Sequence, residues 1–338
     1  MRRNYAYLVA VVLALSGSIG LVETTLSFQD VDKNSVRENP LVLDRAKRVT
    51  SSGISSLAVS ADGKTLAAGT ENGHLLLVDP KDLSVICSLD NGVVDQEFLA
   101  DGSLCCACRE HVSVLRIVNA SLEETNSFEI KGTPLDVIPG GDGTLFIITT
   151  SCLYRYNGSL ECVLERRLMG FAPDLRNNVW WLGGVGEISG VAAGKVNEPV
   201  FQVELAIRQA DGPWLPDRVT GFFAFKGQRR MLVVRKNRVE SLVEIYGLDS
   251  HKAEQRVYYG PNYFRDFAEV GNYLISSGTE LVVWDLISLQ PILTIRQPEK
   301  YSRPQPSFFT CSQLTKTSGR QELVVGTVEG TLNVYTIN

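Results

Sequence analysis

The strongest constraint on this chain is a local pattern that recurs about every 40 residues. In each unit, short apolar runs alternate with turns that contain glycine or asparagine. The clearest unit runs from Ile54 to Leu89, with turns at Asp62-Gly63 and Asn72-Gly73. Such pairs reach positive φ at little steric cost and therefore predict tight hairpins between strands. The first turns of six successive units fall at Gly63, Gly102, Gly143, Asn178, Gly227 and Asn272.

Four short strands in each unit predict an all-β fold, a seven-bladed β-propeller of four-stranded blades over residues 41–338. Helical periodicity is absent from this region. The seventh unit starts at Ser307, turns at Glu329-Gly330 and ends after its third strand. We expect an N-terminal strand at Leu41-Val42-Leu43 to complete that blade and close the ring, since closure removes an unpaired sheet edge.

An apolar N-terminal segment, residues 1–22, precedes the repeats. Arg2 and Arg3 stand before an uncharged stretch that continues to Val22, which is typical of a signal peptide. Its length also suits an uncleaved membrane anchor. The same residues fit a third interpretation, two extra strands around a turn at Ser16-Gly17, which could raise the blade number to eight. Residues 23–40 are predicted to be a linker.

The localisation that we expect depends on that segment. A targeting segment at residues 1–22 predicts a protein of the secretory pathway or one associated with a membrane. Folded into a blade, the same residues would predict a cytoplasmic protein.

Composition and motifs argue against several functions. The net charge of -5 disfavours a nucleic-acid binder. The three histidines, His74, His111 and His251, have no partner at metal-ligand spacing. No Gly-x-Ser-x-Gly motif exposes a nucleophilic serine, and two glycine-rich strings within 184–196 lack the strand and helix of a nucleotide site. We therefore predict no catalytic, cofactor-binding or metal-binding residue and no enzymatic activity.

The cysteines fall into two groups. Cys105, Cys106 and Cys108 are predicted to pack in the core, with Cys105 facing away from the other two. Cys152 and Cys162 flank the Asn157-Gly158 turn. A two-residue turn would place their sulfurs on opposite faces, whereas a three-residue turn centred on Asn157 would bring them together and allow a disulfide.

Two sets of residues are candidate surface sites. Asn119 and Asn157 begin Asn-x-Ser triplets at predicted turns, so they are N-glycosylation candidates in a secreted protein. A basic segment without acidic residues supplies the candidate partner-binding residues Arg229, Arg230, Arg235, Lys236 and Arg238. Its alternative role is to protect solvated hairpin edges. Strand alternation implies that these side chains cannot all form one patch.

One pair, Trp284-Asp285, closes a predicted third strand, and Val78-Asp79 holds the equivalent place in the first unit. On these residues and the repeat pattern, the chain resembles the WD-repeat β-propeller superfamily. The Gly-His pair usual in that family is missing before each unit, since Gly73-His74 follows a second turn.

The resemblance implies a role in assembling protein complexes. The expected function is a non-enzymatic protein–protein interaction scaffold with protein partners. An alternative is an extracytoplasmic propeller that binds or hydrolyses a small ligand at its central channel.

Overall fold

The chain folds into a seven-bladed β-propeller in the computed structural model, which confirms the predicted all-β architecture. Seven antiparallel sheets have four strands each, and a two-stranded ribbon is added to them. The structure describes residues 40–337 except 141–142, 169, 175–178, 184–186, 193–198, 205, 208–214, 217, 225–229, 237–240, 248–249, 251–252, 260–263, 271, 297–308 and 318–319. The predicted targeting segment, and the linker up to residue 39, lie outside the described residues.

Strands are numbered in chain order, and the first, β1 (Leu41–Arg48), belongs to the last blade. Blade 1 contains β2 (Ile54–Val59), β3 (Leu66–Thr70), β4 (His74–Asp79) and β5 (Ser84–Asp90). Blade 2 contains β6 (Val93–Phe98), β7 (Leu104–Cys108), β8 (His111–Val118) and β9 (Ser121–Glu129). Blade 3 contains β10 (Pro134–Pro139), β11 (Leu145–Thr149), β12 (Leu153–Tyr156) and β13 (Leu160–Leu164).

Blade 4 contains β14 (Gly170–Asp174), β15 (Val179–Gly183), β16 (Glu187–Ala192) and β17 (Pro199–Glu204). The ribbon, which the sequence did not predict, pairs β18 (Ala206–Ile207) with β19 (Leu215–Pro216). Blade 5 contains β20 (Arg218–Ala224), β21 (Arg230–Lys236), β22 (Ser241–Gly247) and β23 (Ala253–Tyr259). Blade 6 contains β24 (Phe264–Val270), β25 (Tyr273–Gly278), β26 (Glu280–Asp285) and β27 (Pro291–Arg296). Blade 7 contains β28 (Phe309–Thr317), β29 (Arg320–Thr327), β30 (Thr331–Ile337) and β1.

Blade 7 joins the two ends of the repeat region. β1 runs antiparallel to β30, with Leu41 opposite Ile337 and Arg48 opposite Thr331. The predicted strand at Leu41-Val42-Leu43 is therefore present and continues five residues further than predicted, past a register shift between Leu43 and Arg45. This pairing covers the edge that β30 would otherwise leave open.

The core consists of apolar clusters between neighbouring blades. Among the described residues there are seven, one for each neighbouring pair, including the pair formed by blades 7 and 1. Leu66 and Ala68 join the cluster that faces blade 7, whereas Ala67 joins the cluster that faces blade 2. Successive side chains of a strand point to opposite faces, so the middle strands must be apolar throughout. β3, β7 and β11 are accordingly buried along their whole length.

The first strand of each blade is its inner strand, and it lies against the first strand of the next blade in most neighbouring pairs. Six of these strands share one irregularity, a register shift after the first paired residue in five of them and after the second in β20. The residues that resume the pairing are Ser56, Asp95, Asp136, Gly221, Asp266 and Cys311.

The Trp284-Asp285 and Val78-Asp79 pairs are structurally equivalent, as the sequence predicted. After each aspartate the chain makes a five-residue turn, in which the amide of Leu289 donates to the carbonyl of Asp285 at 2.8 Å, and that of Leu83 to Asp79 at 2.9 Å. Both leucines are buried and have positive φ, 52° and 57°. Each turn therefore holds a buried leucine in a backbone conformation that few L-residues adopt.

No helix long and apolar enough to cross a membrane occurs in the part of the chain that the structure describes.

Candidate functional site

The predicted basic residues belong to blade 5. Arg230, Arg235 and Lys236 lie on β21, whereas Arg229 and Arg238 lie outside the described residues. Arg230 is exposed, and its Nε lies 2.9 Å from a carboxylate oxygen of Glu254 on β23. Five strand residues span about 17 Å, so Arg230 and Arg235 stand at opposite ends of the strand. The set therefore divides into Arg230 at one end and Arg235 with Lys236 at the other.

Both glycosylation candidates lie at exposed turns, as predicted. Asn119 and Ala120 have φ of 49° and 61° and form the turn between β8 and β9. Asn157 begins the loop between β12 and β13 and is also exposed. The two side chains are therefore accessible to a modifying enzyme, and their glycosylation stays a prediction.

Carboxyl groups lie on the inner strands of blades 2 and 3. Asp95 and Glu97 share one face of β6, because they are two residues apart. A carboxylate oxygen of Asp95 accepts the amide N–H of Val137 on β10 at 2.7 Å, which joins the two blades. Burial, together with the negative charge of Asp95, raises the pKa of Glu97 to about 8. A pKa of about 8 means that Glu97 is mostly protonated at neutral pH.

Gln96 faces the opposite side of β6 and joins blade 2 to blade 1. Its Oε1 accepts the hydroxyl of Ser56 at 2.7 Å, and its Nε2 donates to the carbonyl of Ala67 at 3.3 Å. The inner strands are thus connected by buried polar contacts as well as by apolar packing.

Our sequence analysis missed these inner-strand residues as a set, although a signal was present. Asp95 and Asp136 each stand seven residues before the glycine of their blade's first turn, Gly102 and Gly143. Alignment of the repeats on those glycines would have placed both aspartates on inner strands. It would not have revealed the raised pKa of Glu97, which depends on the burial of its carboxyl in the folded chain.

A second group of reactive side chains lies at one end of blade 3. Cys152, Cys162 and Glu165 form the one group of potential metal ligands, among the described residues, whose donor atoms all lie within 4.8 Å of one another. Cys152 is buried, whereas Cys162 and Glu165 are exposed. Burial raises the pKa of the Cys162 thiol, and a hydrogen bond with the Cys152 thiol contributes to the shift.

The register of the β12–β13 hairpin matches neither of the two turns that the sequence left open, because its loop is centred on Gly158 and not on Asn157. Tyr156 pairs with Leu160, so the loop has three residues, 157–159. Cys162 pairs with Tyr154, and its sulfur nevertheless lies within 4.8 Å of the sulfur of Cys152. Both cysteines are free thiols in this structure.

The three cysteines of β7 lie where the sequence predicted them. Cys105 packs in the cluster between blades 2 and 3, whereas Cys106 and Cys108 pack in the cluster between blades 1 and 2. All three are fully buried. Their predicted core role and opposite orientations are confirmed.

Comparisons of this chain with protein-family models and with curated proteins find no match. The propeller fold therefore rests on the sheet topology and on the seven clusters between blades.

Proposed function

We propose that this chain is a non-enzymatic scaffold, a WD-repeat-like propeller that binds protein partners within a complex. The supporting observation is the division of side chains between core and surface. Seven apolar clusters occupy the spaces between blades, while polar residues such as Asp62, Lys64 and Asp101 are exposed at the turns. The outermost strand of blade 2, β9, is exposed at most of its positions. Polar loops held by a rigid scaffold are a common site of recognition.

The relation to WD-repeat propellers is supported by the turn that follows β26. Trp284 Nε1 donates to the hydroxyl of Ser276 at 2.8 Å inside the blade. A carboxylate oxygen of Asp285 accepts the amide of Ser288 at 2.7 Å and fixes the turn. These contacts use the Trp-Asp pair on which the resemblance rests.

Arg235 and Lys236 are the part of the basic set that we propose for partner binding, together with Arg238, which follows in the connection to β22. The triple variant Arg235→Glu, Lys236→Glu, Arg238→Glu tests them in the full chain. Charge reversal at Lys64 and Lys81, two exposed positions of blade 1, is the matched control. We expect proteins that co-purify in fixed ratio with the native chain to be lost from the triple variant and kept by the control. Equal recovery from both variants would discard this surface, and the absence of any stoichiometric partner would contradict the scaffold role.

A second candidate function is binding or hydrolysis of a small ligand at the central channel. The observation that favours it is the raised pKa of Glu97, which shares a strand face with Asp95, because a carboxyl with a pKa near neutrality suits general acid–base catalysis. Chromogenic esters and glycosides are suitable probes. Under this alternative, turnover by the native chain should disappear in both Glu97→Gln and Asp95→Asn, and lack of turnover by the native chain would remove its support.

The N-terminal segment bears on where either function operates. We propose that residues 1–22 direct the chain to the secretory pathway or attach it to a membrane. N-terminal sequencing combined with cell fractionation tests this. A mature protein that starts between Ile19 and Glu23 supports secretion, and an intact Met1 in the membrane fraction supports an anchor. An intact Met1 in a soluble fraction contradicts both.

A further inference from the structure

Two sulfur donors and one carboxylate meet at one end of blade 3. Cys152 precedes β12, Cys162 lies on β13 and Glu165 follows that strand. One donor atom from each lies within 4.8 Å of the other two. We propose that these three side chains bind a single divalent cation of the zinc class, a site independent of the scaffold function.

Backbone hydrogen bonds hold the first ligand in place. The Thr149 hydroxyl accepts the amide N–H of Cys152 at 2.9 Å and donates to the carbonyl of Lys131 at 2.7 Å. The amide of Thr149 also donates to the carbonyl of Cys152 at 2.8 Å. The tight turn between β11 and β12 therefore holds the backbone of Cys152 in place.

The donor set selects the class of cation. Thiolate sulfur favours zinc and related ions, whereas calcium and magnesium take oxygen ligands. Three protein ligands leave one position of a tetrahedral site for water. Since Cys162 and Glu165 are exposed, that position would face solvent.

Lys131 balances the charge of the site. Its ammonium lies 2.6 Å from Oε1 of Glu165, which leaves the second oxygen of that carboxylate for a metal ion. On binding, each thiol releases its proton to solvent, and two thiolates with one carboxylate bring three negative charges to the dication. The Lys131 ammonium neutralises the single negative charge that remains.

Tyr154 connects Lys131 to the same hairpin. Its phenol oxygen accepts the backbone N–H of Lys131 at 2.7 Å. Lys131, which comes from the connection between blades 2 and 3, is thus held over the end of blade 3. It acts as a positioning residue for Glu165, because the proposed metal ion does not touch it.

Cobalt is the probe for the test, because Co²⁺ bound to thiolates in a tetrahedral site has intense visible absorption. The full chain is purified under reducing conditions, freed of metal with a chelator and titrated with Co²⁺. We expect one Co²⁺ per chain, sulfur-to-cobalt charge-transfer bands, and loss of the bands when Zn²⁺ is added.

Three variants locate the site. Cys162→Ser should abolish the cobalt spectrum, whereas the control Cys87→Ser, a thiol on β5 of blade 1, should retain it. Lys131→Met should weaken binding about 10-fold, the usual scale for loss of an outer partner of a metal ligand. Cys162 and Lys131 are exposed, so we expect the Cys162→Ser and Lys131→Met chains to unfold at the same temperature as the native chain.

Three results would overturn the proposal. The first is a native chain that gives no charge-transfer bands. The second is a Cys162→Ser chain that binds Co²⁺ as the native chain does. The third is a Cys152–Cys162 disulfide, detected by mass spectrometry in chain purified without reductant, together with no metal uptake after reduction.

Discussion

Ala120 has a backbone conformation that L-residues other than asparagine rarely adopt, with φ of 61° in the turn before β9. Glycine avoids the clash of Cβ in this region, which costs about 1 kcal/mol. We expect Ala120→Gly to raise the free energy of unfolding by about 1 kcal/mol. The substitution keeps the Asn119-x-Ser121 triplet intact, so glycosylation should not change.

Chemical denaturation of the two proteins measures the effect of Ala120→Gly. The control is Ala61→Gly, at an exposed turn position that is not among the residues with positive φ. Glycine there only adds disorder to the unfolded chain and should lower stability. A loss of stability in both variants would contradict the argument from φ.

Glu97 gives the fold a pH dependence. Its pKa is about 8 in the folded protein, above the ordinary value of 4.5, so the folded state holds the proton more tightly than the unfolded state. The stabilisation is complete below the ordinary pKa and is lost as the pH rises through the folded value. We expect Glu97→Gln to remove this loss and to be more stable than the native chain at alkaline pH, by roughly 1–3 kcal/mol.

Urea unfolding across the range from acidic to alkaline pH tests the Glu97 prediction. The control is Glu123→Gln, at an exposed position on β9. Its free energy of unfolding should change with pH as that of the native chain does. If the free energy of unfolding of Glu97→Gln fell with rising pH as steeply as that of the native chain, Glu97 would not be the source of the pH dependence.

The Arg45 side chain connects β1 to β29 within blade 7 and also to the neighbouring blade 1. Its guanidinium donates to both carboxylate oxygens of Glu322 on β29, at 3.2 and 3.0 Å, and to the carbonyl of Pro80 at 2.8 Å. The Glu322 side chain is only 9% exposed, so loss of Arg45 would leave a nearly buried carboxylate without its charge partner.

We therefore expect Arg45→Met to lower the free energy of unfolding by about 3 kcal/mol. The double variant Arg45→Met, Glu322→Gln should recover part of that loss, because the unpaired charge is removed. Lys47→Met is the control on the same strand, since within the described residues the Lys47 ammonium makes one exposed hydrogen bond, to the backbone carbonyl of Asp82 at 3.3 Å. Equal effects of Arg45→Met and Lys47→Met in thermal unfolding would show that the ion pair contributes nothing.

The strands that the sequence predicted correctly are those whose turns are decided by local sterics. Gly63, Gly102 and Gly143 all have positive φ, between 68° and 85°, as the argument from steric cost requires. The turn of the hairpin that contains Cys152 and Cys162 could not be predicted in this way, because the pairing of Tyr156 with Leu160 depends on packing against other strands. The ligand group of the proposed metal site also includes Glu165, whose partner Lys131 reaches the same end of the blade from a separate connection.

At the scale of the whole molecule, closure depends on β1. A chain that starts at Val49 lacks this strand and exposes the edge of β30. We expect it to unfold at lower temperature than a chain that starts at Pro40 and to self-associate, since an open edge pairs with other chains. Scanning calorimetry and light scattering measure the two effects. Identical behaviour of the two chains would show that the other six interfaces hold the ring without this strand.

The antiparallel pair of β1 and β30 also sets the order of events on the ribosome. β1 emerges first among the blades, and its partner follows only after the other six blades have been made. At a synthesis rate of 5–20 residues per second this interval lasts roughly 15–60 s. For that time the nascent chain carries an unmatched strand, so a chaperone that shields extended apolar segments would act on Leu41 to Leu43 before anything else in the propeller.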